Sequence, residues 1–351
     1  MGITDLFKRC KFTEFDIETF KYRTLGVDMY VLFHRYIDKD FAKDMVDEPG
    51  VYVERYYENI YRFLKQFTIC NYKLFLVYDG DKMKFKITEK NREQRREAQK
   101  AAAMLSGDWS SCVDVVPQQM FNFHLFLKEK HPDFVFQFIV APFEADAELA
   151  YLYRRNYINS VLTADSDLII YGVEHILFMP TKGNELRVYE TMNPSNEPTC
   201  INQIPIEKLW LFGYLIRCDY FEGIKGIGIV KAFELVKKLN FYKLSDNDCV
   251  DWELTLDCLK ALMVKHKIKD LNLNQKAWYV VRYVYRYQVV VEPELCQLRY
   301  LSGSTLDEEK TEFGSVINYK EVALGLNDPI TKIPFTDVRK IDEDRPLMEI
   351  L

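Results

Sequence analysis

Four short apolar runs along the chain each lead to an acidic residue. They cover residues 24–27, 73–78, 136–140 and 160–164, and they lead to Asp28, Asp79, Glu144 and Asp165. Continuous apolar runs of this kind are typical of strands buried on both faces, as in a parallel sheet covered by helices. Helical patterns lie between the runs, for example over 53–67 and 145–155. This alternation predicts an α/β fold with a central, mostly parallel sheet flanked by helices.

The stretch 82–100 differs from its surroundings in charge, with eight basic and three acidic residues. Its strong helix formers predict a helix over 88–104, which the residues 106–108 should end, and a second helix is predicted over 117–130. Because the stretch follows Asp79, its basic side chains are expected beside the acidic ends of the strands. The alternative is a solvated helix face with i,i+4 ion pairs.

Seven acidic residues stand out because they follow apolar runs or form closely spaced pairs. They are Asp28, Asp79, Glu144, Asp146, Asp165, Asp167 and Asp219. Asp165 and Asp167 are two apart, so in an extended turn both side chains can point the same way. Pro142 suits the first turn of a helix. Glu144 and Asp146 can then share a site only if Glu144 lies at the very start of that turn, and Glu148 remains the alternative on a regular helical face.

Carboxylates gathered at one sheet edge would raise each other's pKa and destabilise the fold unless a cation offset their charge. Hard divalent ions such as Mg²⁺ or Mn²⁺ prefer oxygen ligands. Two such ions, about 3.5–4 Å apart, are the usual arrangement for in-line phosphodiester hydrolysis. The alternative for any single acid is that it caps a helix or faces solvent, but four strand ends with two acidic doublets favour a metal site.

A glycine-rich segment over 223–231 follows Asp219 and contains Gly226, Gly228 and Lys231. Closely spaced glycines before a helix let backbone N–H groups approach a phosphate. No apolar strand precedes the segment, so a dinucleotide-binding turn fits poorly and a helix-hairpin-helix clamp on duplex DNA fits better. A plain turn between core helices is the alternative.

Two further groups have a structural interpretation and a functional one. Tyr30 and His34 are four apart and would share a helical face, where they could stack on a base. From the residues alone a buried core pair is favoured. Arg282 and Arg286 are also four apart, and a packed helix with a basic edge is favoured for them.

Composition and charge limit the class of protein. The 351 residues are 48% apolar and 15% aromatic, so a large packed core is expected, and the length suggests about two domains or one large one. The formal net charge of −6 at first argues against nucleic acid as a partner. No run is long and apolar enough for a membrane span and no signal peptide is recognisable. The eight scattered cysteines predict buried thiols in a reducing compartment.

Several motifs, in this order, resemble those of the flap endonuclease/XPG family of 5′ nucleases. They are MGI at the start, GVDMYVLFHR, VYDGD, NREQRRE, APFEADAELAYL, TADSDLIIYG and CDYFEGIKGIGIVKA. Three motifs are most similar to the exonuclease 1 branch: APFEADAELAYL, TADSDLIIYG and ALGLNDPIT, the last at 323–331. The resemblance covers roughly residues 1–335. It implies a PIN-like 5′ nuclease fold with a helical arch and a helix-two-turn-helix element.

The resemblance also implies roles for individual residues. The seven acids named above would bind two Mg²⁺, for which Mn²⁺ can substitute, and Glu144 and Asp146 would both be ligands. Arg92 would contact the scissile phosphate with Lys84 or Lys86, and Tyr30 and His34 would lie near the reacting nucleotide. The residues expected to contact DNA are Gly2, Arg95, Arg96, Gly226, Gly228 and Lys231.

The chain departs from the family pattern at the glycine hairpin. The resemblance implies a K⁺ ion there, but Ile216 and Gly223 stand where the exonuclease 1 branch has serines. Two side-chain ligands are thus missing, and whether backbone carbonyls such as that of Ile227 suffice for K⁺ stays open. We find no sliding-clamp motif near the end of the chain.

The sequence thus predicts an Mg²⁺-dependent 5′→3′ exonuclease on double-stranded DNA with 5′ ends, nicks, gaps or flaps, with flap endonuclease activity, acting as a monomer in the nucleus. The rivals are a flap-specific endonuclease and an inactive nuclease fold used as a nucleic-acid-binding scaffold. Three regions are expected: 1–105 with the basic arch, 106–240 with the helix-hairpin-helix element, and 241–351 as a helical wrap with an acidic extension.

Overall fold

The computed structural model describes residues 2–3, 5–83, 86–87, 89–179, 185–195, 197–239, 252–268, 273–304 and 319–335, and of residues 89–96, 252–254 and 256 it describes the backbone only. Its centre is a seven-stranded sheet in the order β1-β7-β6-β5-β2-β3-β4. The strands are β1 Thr13–Glu14, β2 Thr24–Asp28, β3 Lys73–Tyr78, β4 Gln137–Val140, β5 Ser160–Thr163, β6 His175–Phe178 and β7 Arg187–Glu190.

The five central strands are parallel, and β1 and β7 join one edge in antiparallel orientation. All five residues of β2 pair with β3, from Thr24 with Lys73 to Asp28 with Val77. Because β2 also pairs with β5, strands from both 1–105 and 106–240 contribute to one sheet. The predicted α/β class and the four predicted strands are confirmed. The stretch 181–200, which its glycine and prolines assign to a surface loop, contains β7, so that part of the prediction is wrong.

Helices cover both faces of the sheet. Within the described residues they are α1 Met29–Arg35, α2 Lys39–Asp47, α3 Glu54–Ile69, α4 Glu89–Ser106, α5 Gln118–Lys130, α6 Ala145–Arg154, α7 Asp167–Ile170, α8 Ile206–Leu215, α9 Ile229–Lys238, α10 Trp252–Lys265, α11 Gln275–Tyr287 and α12 Tyr319–Ala323. The arch helix α4 ends at Ser106, and Gly107 follows with a positive φ of 76°. The predicted break at 106–108 is therefore confirmed.

The core forms because the central strands are apolar on both faces. Leu25, Val27, Leu76, Val77 and Ile139 are at most 3% exposed. Large aromatic side chains from α3 and α5 fill the space on one side of the sheet. This burial holds the sheet rigidly, so the residues at its edge have defined positions.

The C-terminal part of the described chain packs against α8. There α11 contacts α8, and the rings of Trp278 and Trp210 meet edge to face with their centroids 4.5 Å apart. A hairpin of β8 Val289–Glu292 and β9 Gln297–Tyr300 follows α11. The seven described cysteines are free thiols; three of them are buried and four are partly exposed, so the prediction of buried thiols is confirmed for three and wrong for four. No described helix has the length and apolar character of a membrane span.

Candidate active site

Four neighbouring parallel strands end at one edge of the sheet. They are β5, β2, β3 and β4 in spatial order. The chain runs from β2 through β3 to β4 and then returns to the other side of β2 to form β5, so the direction of winding reverses between β2 and β5. In open α/β sheets the carboxyl ends of the strands beside such a reversal form the crevice where ligands bind.

A cavity of about 770 Å³ opens at this edge. It is lined by all seven acidic residues singled out in the sequence: Asp28, Asp79, Glu144, Asp146, Asp165, Asp167 and Asp219. Tyr30, His34 and Lys86 also line it, and Gln99 of the arch helix and the segment 110–117 form further walls. The seven acids, which are separated by up to 191 positions in sequence, therefore face one space.

Asp28 and Asp79 are held by hydrogen bonds at the ends of their strands. Asp28 caps α1, where one oxygen accepts the Val31 N–H at 3.3 Å and the other accepts the Thr163 hydroxyl at 2.9 Å. Asp79 accepts the Ala145 N–H at 2.7 Å and so joins the end of β3 to the start of α6. These bonds fix the direction in which both carboxylates point.

Gly80 lets the ends of β3 and β4 approach each other. A Cβ atom at this position would collide with the Ala141 carbonyl and lie 2.7 Å from that of Pro142. The Gly80 N–H instead donates to the Phe143 carbonyl at 2.5 Å. The glycine after Asp79 is therefore required by close backbone approach, which brings Asp79 beside Glu144.

The structure resolves the ambiguity at Glu144 and Asp146. Glu144 has an extended backbone, with φ −92° and ψ 140°, and is the N-cap of α6. This is the condition under which both side chains can face the cavity. Pro142 precedes the cap by two residues, so its predicted place in the first helical turn is wrong. Glu148 faces away, accepts the Val291 N–H at 2.8 Å and does not line the cavity.

Asp165 and Asp167 lie in the turn that leads from β5 into α7. One oxygen of Asp165 accepts the Asp167 N–H at 3.0 Å. Asp167 accepts the Tyr285 hydroxyl at 2.8 Å through Oδ2, while its buried Oδ1 has no hydrogen-bond partner within the described residues. This oxygen can therefore accept a ligand from the cavity side.

Gly2 packs against the same turn, with a positive φ of 86°. A Cβ atom there would collide with Asp165 and Ser166 and lie 2.8 Å from Oδ1 of Asp167. The next residue, Ile3, donates its N–H to the Ser166 hydroxyl at 2.9 Å. The start of the chain is thus placed beside the acidic cluster.

Lys86 places its ammonium among the acids. It forms ion pairs with Glu144 and with Asp219, the latter at 3.1 Å. The Ile87 N–H donates to the Asp219 carbonyl at 2.9 Å, which anchors this part of the chain. Lys84, the other predicted lysine, lies outside the described residues.

The carboxylates perturb one another strongly. Burial and the charge of the neighbouring Asp79 together raise the pKa of Asp28 to about 7. Burial and the charge of Asp165 also raise the pKa values of Asp146 and Asp167 well above the ordinary range. A cation in the cavity would relieve this repulsion.

The donor set fits a hard divalent cation, because all seven side chains offer carboxylate oxygens and Asp167 Oδ1 has no protein partner. Within the described part of the chain no three His, Cys, Asp or Glu side chains already enclose a point at coordination distance. Mutual repulsion and the inserted ammonium of Lys86 account for this spread. The seven acids are the residues that could hold a metal.

Tyr30 and His34 lie on α1, just beyond Asp28. Both line the cavity, and His34 is exposed. They are therefore not a buried core pair, contrary to the interpretation favoured from the residues alone. Their rings form part of the wall next to the acids.

The remaining predicted site residues lie on the arch and the hairpin. The backbone of Arg92, Arg95 and Arg96 belongs to α4, but their side chains lie outside the described atoms. At the hairpin, Gly226 has φ 85°, Gly228 is the N-cap of α9, and the Lys231 ammonium donates to the Gly226 carbonyl at 3.0 Å.

Gly223, where a serine was expected from the family pattern, also has a positive φ, of 75°. A Cβ atom there would lie 2.6 Å from the backbone nitrogen of Arg217. The local backbone therefore favours glycine over serine.

Sequence reasoning missed the hydroxyl groups that support the acids. Thr163, Tyr220 and Tyr285 donate to Asp28, Glu144 and Asp167 respectively. Thr163 is close to Asp165 in sequence, but nothing in its spacing points to Asp28. Tyr285 lies in a tyrosine-rich helix that the sequence assigns to packing, so only the tertiary contact shows this role.

Comparisons with known proteins are consistent with this geometry. The XPG N-terminal domain model matches residues 1–101 and the XPG I-region model matches residues 135–219. Together they cover more than half of the chain and include all seven acids. The chain is 26% identical over 344 residues to exodeoxyribonuclease 1 of Schizosaccharomyces pombe, covering 91% of this chain and 55% of that protein. It is 29% identical over 254 residues to exonuclease 1 of Danio rerio, and this match covers 68% of this chain and 30% of that protein.

The chain spans about half of the length of the Schizosaccharomyces pombe relative, and it covers 36% of exonuclease 1 of Arabidopsis thaliana. Two solved structures share the fold. The catalytic core of Rad2 in complex with DNA substrate gives a TM-score of 0.52 at 18% identity, covering 81% of this chain and 86% of that one. Flap endonuclease-1 from Methanococcus jannaschii gives a TM-score of 0.50 at 17% identity. This match covers 80% of this chain and 83% of that one.

Proposed function

We propose, from the premise that the chain belongs to the XPG family of 5′ nucleases, that it hydrolyses DNA phosphodiesters near 5′ ends and leaves 5′-phosphates. Its main activity would be 5′→3′ exonuclease digestion of double-stranded DNA from ends, nicks or gaps. Cleavage of 5′ flaps would be a second activity. Such an enzyme serves DNA repair, recombination and replication, and we place it in the nucleus, acting as a monomer.

One observation carries this proposal. Seven carboxylates from four adjacent strand ends and from the turn after α8 line a single cavity of about 770 Å³, together with the ammonium of Lys86. A set of oxygen donors with an adjacent cation suits phosphoryl chemistry, in which both the attacking and the leaving oxygen carry negative charge. The names of the relatives, exonuclease 1 among them, support the same reaction.

The seven acids would hold two Mg²⁺ or Mn²⁺ ions, which when bound supply an activated water and stabilise the leaving oxygen. The hydroxyls of Thr163, Tyr220 and Tyr285 keep three of these acids oriented. These bonds fix the direction of three carboxylates before substrate arrives.

The chain's own cations and rings would position the substrate. Lys86, released from Glu144 and Asp219, would contact the scissile phosphate, and Arg92 would join it from the arch, with Lys84 as the alternative lysine. Tyr30 and His34 would stack on the reacting nucleotide. Gly2 would keep the wall beside Asp165 free of a side chain. Binding of the duplex would involve a further set of residues: Arg95, Arg96, Gly226, Gly228 and Lys231.

We infer that the hairpin binds DNA phosphate without a bound K⁺ ion. Gly223 offers no hydroxyl, and the Lys231 ammonium already contacts the Gly226 carbonyl. Duplex affinity should therefore be equal in potassium and in lithium chloride at one ionic strength. A clear preference for potassium would contradict this.

The test of the nuclease proposal is digestion of end-labelled substrates with Mg²⁺ at fixed salt, because phosphate-driven binding varies steeply with salt. Blunt duplex, nicked duplex, a 5′ flap and an RNA–DNA hybrid are compared. We expect successive release of nucleotides from the 5′ end of duplexes. Asp165→Asn should reduce cleavage to the background level while DNA binding persists, and the exposed acid substitution Asp47→Asn should leave the rate unchanged.

The rivals give different results in the same assay. A single cut at the base of a flap, with little release from blunt duplex, would identify a flap-specific endonuclease. No cleavage by the wild-type chain with either Mg²⁺ or Mn²⁺ would identify an inactive scaffold. Equal cleavage by Asp165→Asn would overturn the assignment of the acids.

A further inference from the structure

A second cavity, of about 540 Å³, lies at the other end of α6 from the acidic cluster. It is lined by three arginines, Arg154 and Arg155 at the end of α6 and Arg286 at the end of α11. Ten residues of helix at 1.5 Å each separate Glu144 from this end, so the two cavities are about 15 Å apart along α6. This cavity, which we call the arginine pocket, plays no part in the reaction described above.

The arginine pocket concentrates positive charge. Glu207 is the one carboxylate among the described residues that line it, which gives the lining side chains a formal charge of +2. The Arg154 residue is exposed at the pocket, but desolvation of its guanidinium and the nearby charge of Arg286 together lower its pKa to about 10. Two guanidinium groups in such proximity repel each other, and an anion between them would relieve the repulsion.

Arg154 is held rigidly as a wall of the pocket. One terminal nitrogen donates to the Tyr171 carbonyl at 2.6 Å and the other to the Leu301 carbonyl at 3.4 Å. A guanidinium has five N–H donors, so these two bonds fix its plane and leave further donors. Arg155 is exposed and forms no ion pair with any other described residue. A guanidinium group that is fixed in this way and keeps further donors, as Arg154 does, is suited to an oxyanion, which it binds with paired hydrogen bonds.

The opposite wall supplies hydroxyl groups. Ser302 and Gly303 belong to a tight turn closed by a bond of 2.7 Å from the Gly303 N–H to the Tyr300 carbonyl, and the Ser302 hydroxyl lies 3.0 Å from that of Ser304. Tyr287 also lines the pocket, and its hydroxyl accepts from Arg282 at 3.3 Å. The site therefore combines charged and neutral donors around a space that admits a tetrahedral anion.

Helix C-termini stabilise positive side chains, which explains why an arginine is tolerated at each helix end. It does not explain why two helices direct three arginines into one cavity. We propose that the arginine pocket is a binding site for a phosphate group. The phosphate belongs either to the backbone of a duplex that extends over this face or to a free phosphate or nucleotide.

The experiment compares the intact wild-type chain with Arg155→Gln and with the double substitution Arg155→Gln/Arg286→Gln, all without divalent ions. Arg62→Gln, an exposed arginine on α3, is the matched control. Isothermal titration with inorganic phosphate, at constant ionic strength set by chloride, measures binding to the pocket. We expect phosphate affinity to fall at least tenfold in the double variant and to be unchanged in Arg62→Gln. Circular dichroism confirms that each variant is folded, and Arg155→Gln alone, at an exposed position, should still weaken binding.

A second arm distinguishes the two sources of phosphate. Binding of a 30-base-pair duplex is measured over a range of salt concentrations. If the duplex backbone occupies the pocket, Arg155→Gln lowers duplex affinity and reduces the slope of log affinity against log salt by about one. If free phosphate is the ligand, duplex binding is unchanged while phosphate binding is lost. Equal affinity of the wild-type and double-variant chains for both phosphate and duplex would overturn the proposal.

Discussion

Each buried acidic side chain of the site lowers the stability of the fold, and a bound cation would compensate for their combined charge. Asp146 shows this most clearly, because burial and four neighbouring carboxylates raise its pKa well above the ordinary range. One pKa unit corresponds to about 1.4 kcal/mol of difference between the two protonation states. Removing this charge should therefore stabilise the chain when no metal is present.

We expect Asp146→Asn to raise the free energy of unfolding at pH 7 in EDTA by on the order of 1–2 kcal/mol. In Mg²⁺ the order should reverse, because the wild-type chain gains stability from the ion and the variant gains less. Urea unfolding with and without Mg²⁺ measures both effects. Asp47→Asn, at an exposed ion pair with Lys43, is the control and should change stability by less than about 0.5 kcal/mol. Destabilisation of the variant in EDTA would contradict this account.

Single residues also determine where the backbone can go. Gly80 and Gly2 lie against carbonyl and carboxylate oxygens that leave no room for a Cβ atom. The sequence shows Gly80 between two aspartates and Gly2 at the second position, but it does not show what either glycine approaches. Their role is a property of contacts between strand ends, which no local pattern encodes.

At the scale of elements, α5 places a histidine against β3, where its charge would be unfavourable in the folded state. His124 lies beside Phe136 and Phe138, with its Nε2 2.9 Å from the Tyr78 hydroxyl. Burial lowers the pKa of His124 to about 3. In the unfolded chain a histidine has a pKa of about 6.5.

The pH dependence of stability follows from this difference. Below pH 6.5 the unfolded chain binds a proton that the folded chain does not, so the stabilising effect is complete above pH 6.5 and is lost as the pH falls towards 3. Between pH 6.5 and 5 we expect a loss of about 2 kcal/mol from this residue. Urea unfolding at several pH values measures this effect. Between pH 6.5 and 5 the free energy of unfolding of His124→Gln should fall by about 2 kcal/mol less than that of the wild-type chain. Parallel curves for the variant and the wild-type chain would refute the assignment.

Sequence patterns predicted individual strands and helices better than they predicted contacts between residues. The buried strands 24–28 and 73–78 are apolar on both faces, and α6 has a clear start at Glu144, so local pattern and tertiary position agree. The strand β7 was missed because it lies in the antiparallel part of the sheet, between β1 and β6, and because the neighbouring Gly183, Pro194 and Pro198 in the sequence resemble a loop. The hairpin β8–β9 was missed because its first strand continues a tyrosine- and valine-rich helix without a strong break.

For the whole molecule, the net charge of −6 conceals a marked asymmetry. The seven acids that would hold the metal carry −7, and the residues beyond 301 carry a net charge of −5, so the rest of the chain has a net charge of +6. A polyanion would therefore be attracted to the surrounding surface and repelled by the cavity itself until divalent ions occupy it.

This distribution predicts that divalent ions strengthen DNA binding. We expect affinity for a hydrolysis-resistant phosphorothioate duplex to rise about tenfold when Mg²⁺ replaces EDTA at constant ionic strength, since each bound ion offsets two carboxylate charges. Fluorescence anisotropy of a labelled phosphorothioate duplex measures this affinity. The variant Asp165→Asn/Asp167→Asn should bind the duplex more tightly than the wild-type chain in EDTA and respond less to Mg²⁺. An Mg²⁺ response of equal size in that variant would show that the ions act elsewhere.

The sequence by itself determined the α/β class, four of the buried strands, the break after the arch helix and the identity of the seven acids. These features are local: apolar runs, helix formers and acids at strand ends each follow from residues close together in the chain. The tertiary structure alone decided that Glu144 caps its helix, that Glu148 faces β8, that Lys86 pairs with Glu144 and Asp219, and that three arginines meet at the far end of α6. Each of these depends on contacts between residues distant in sequence. Burial and the order of the strands set such contacts, and no periodicity along the chain records them.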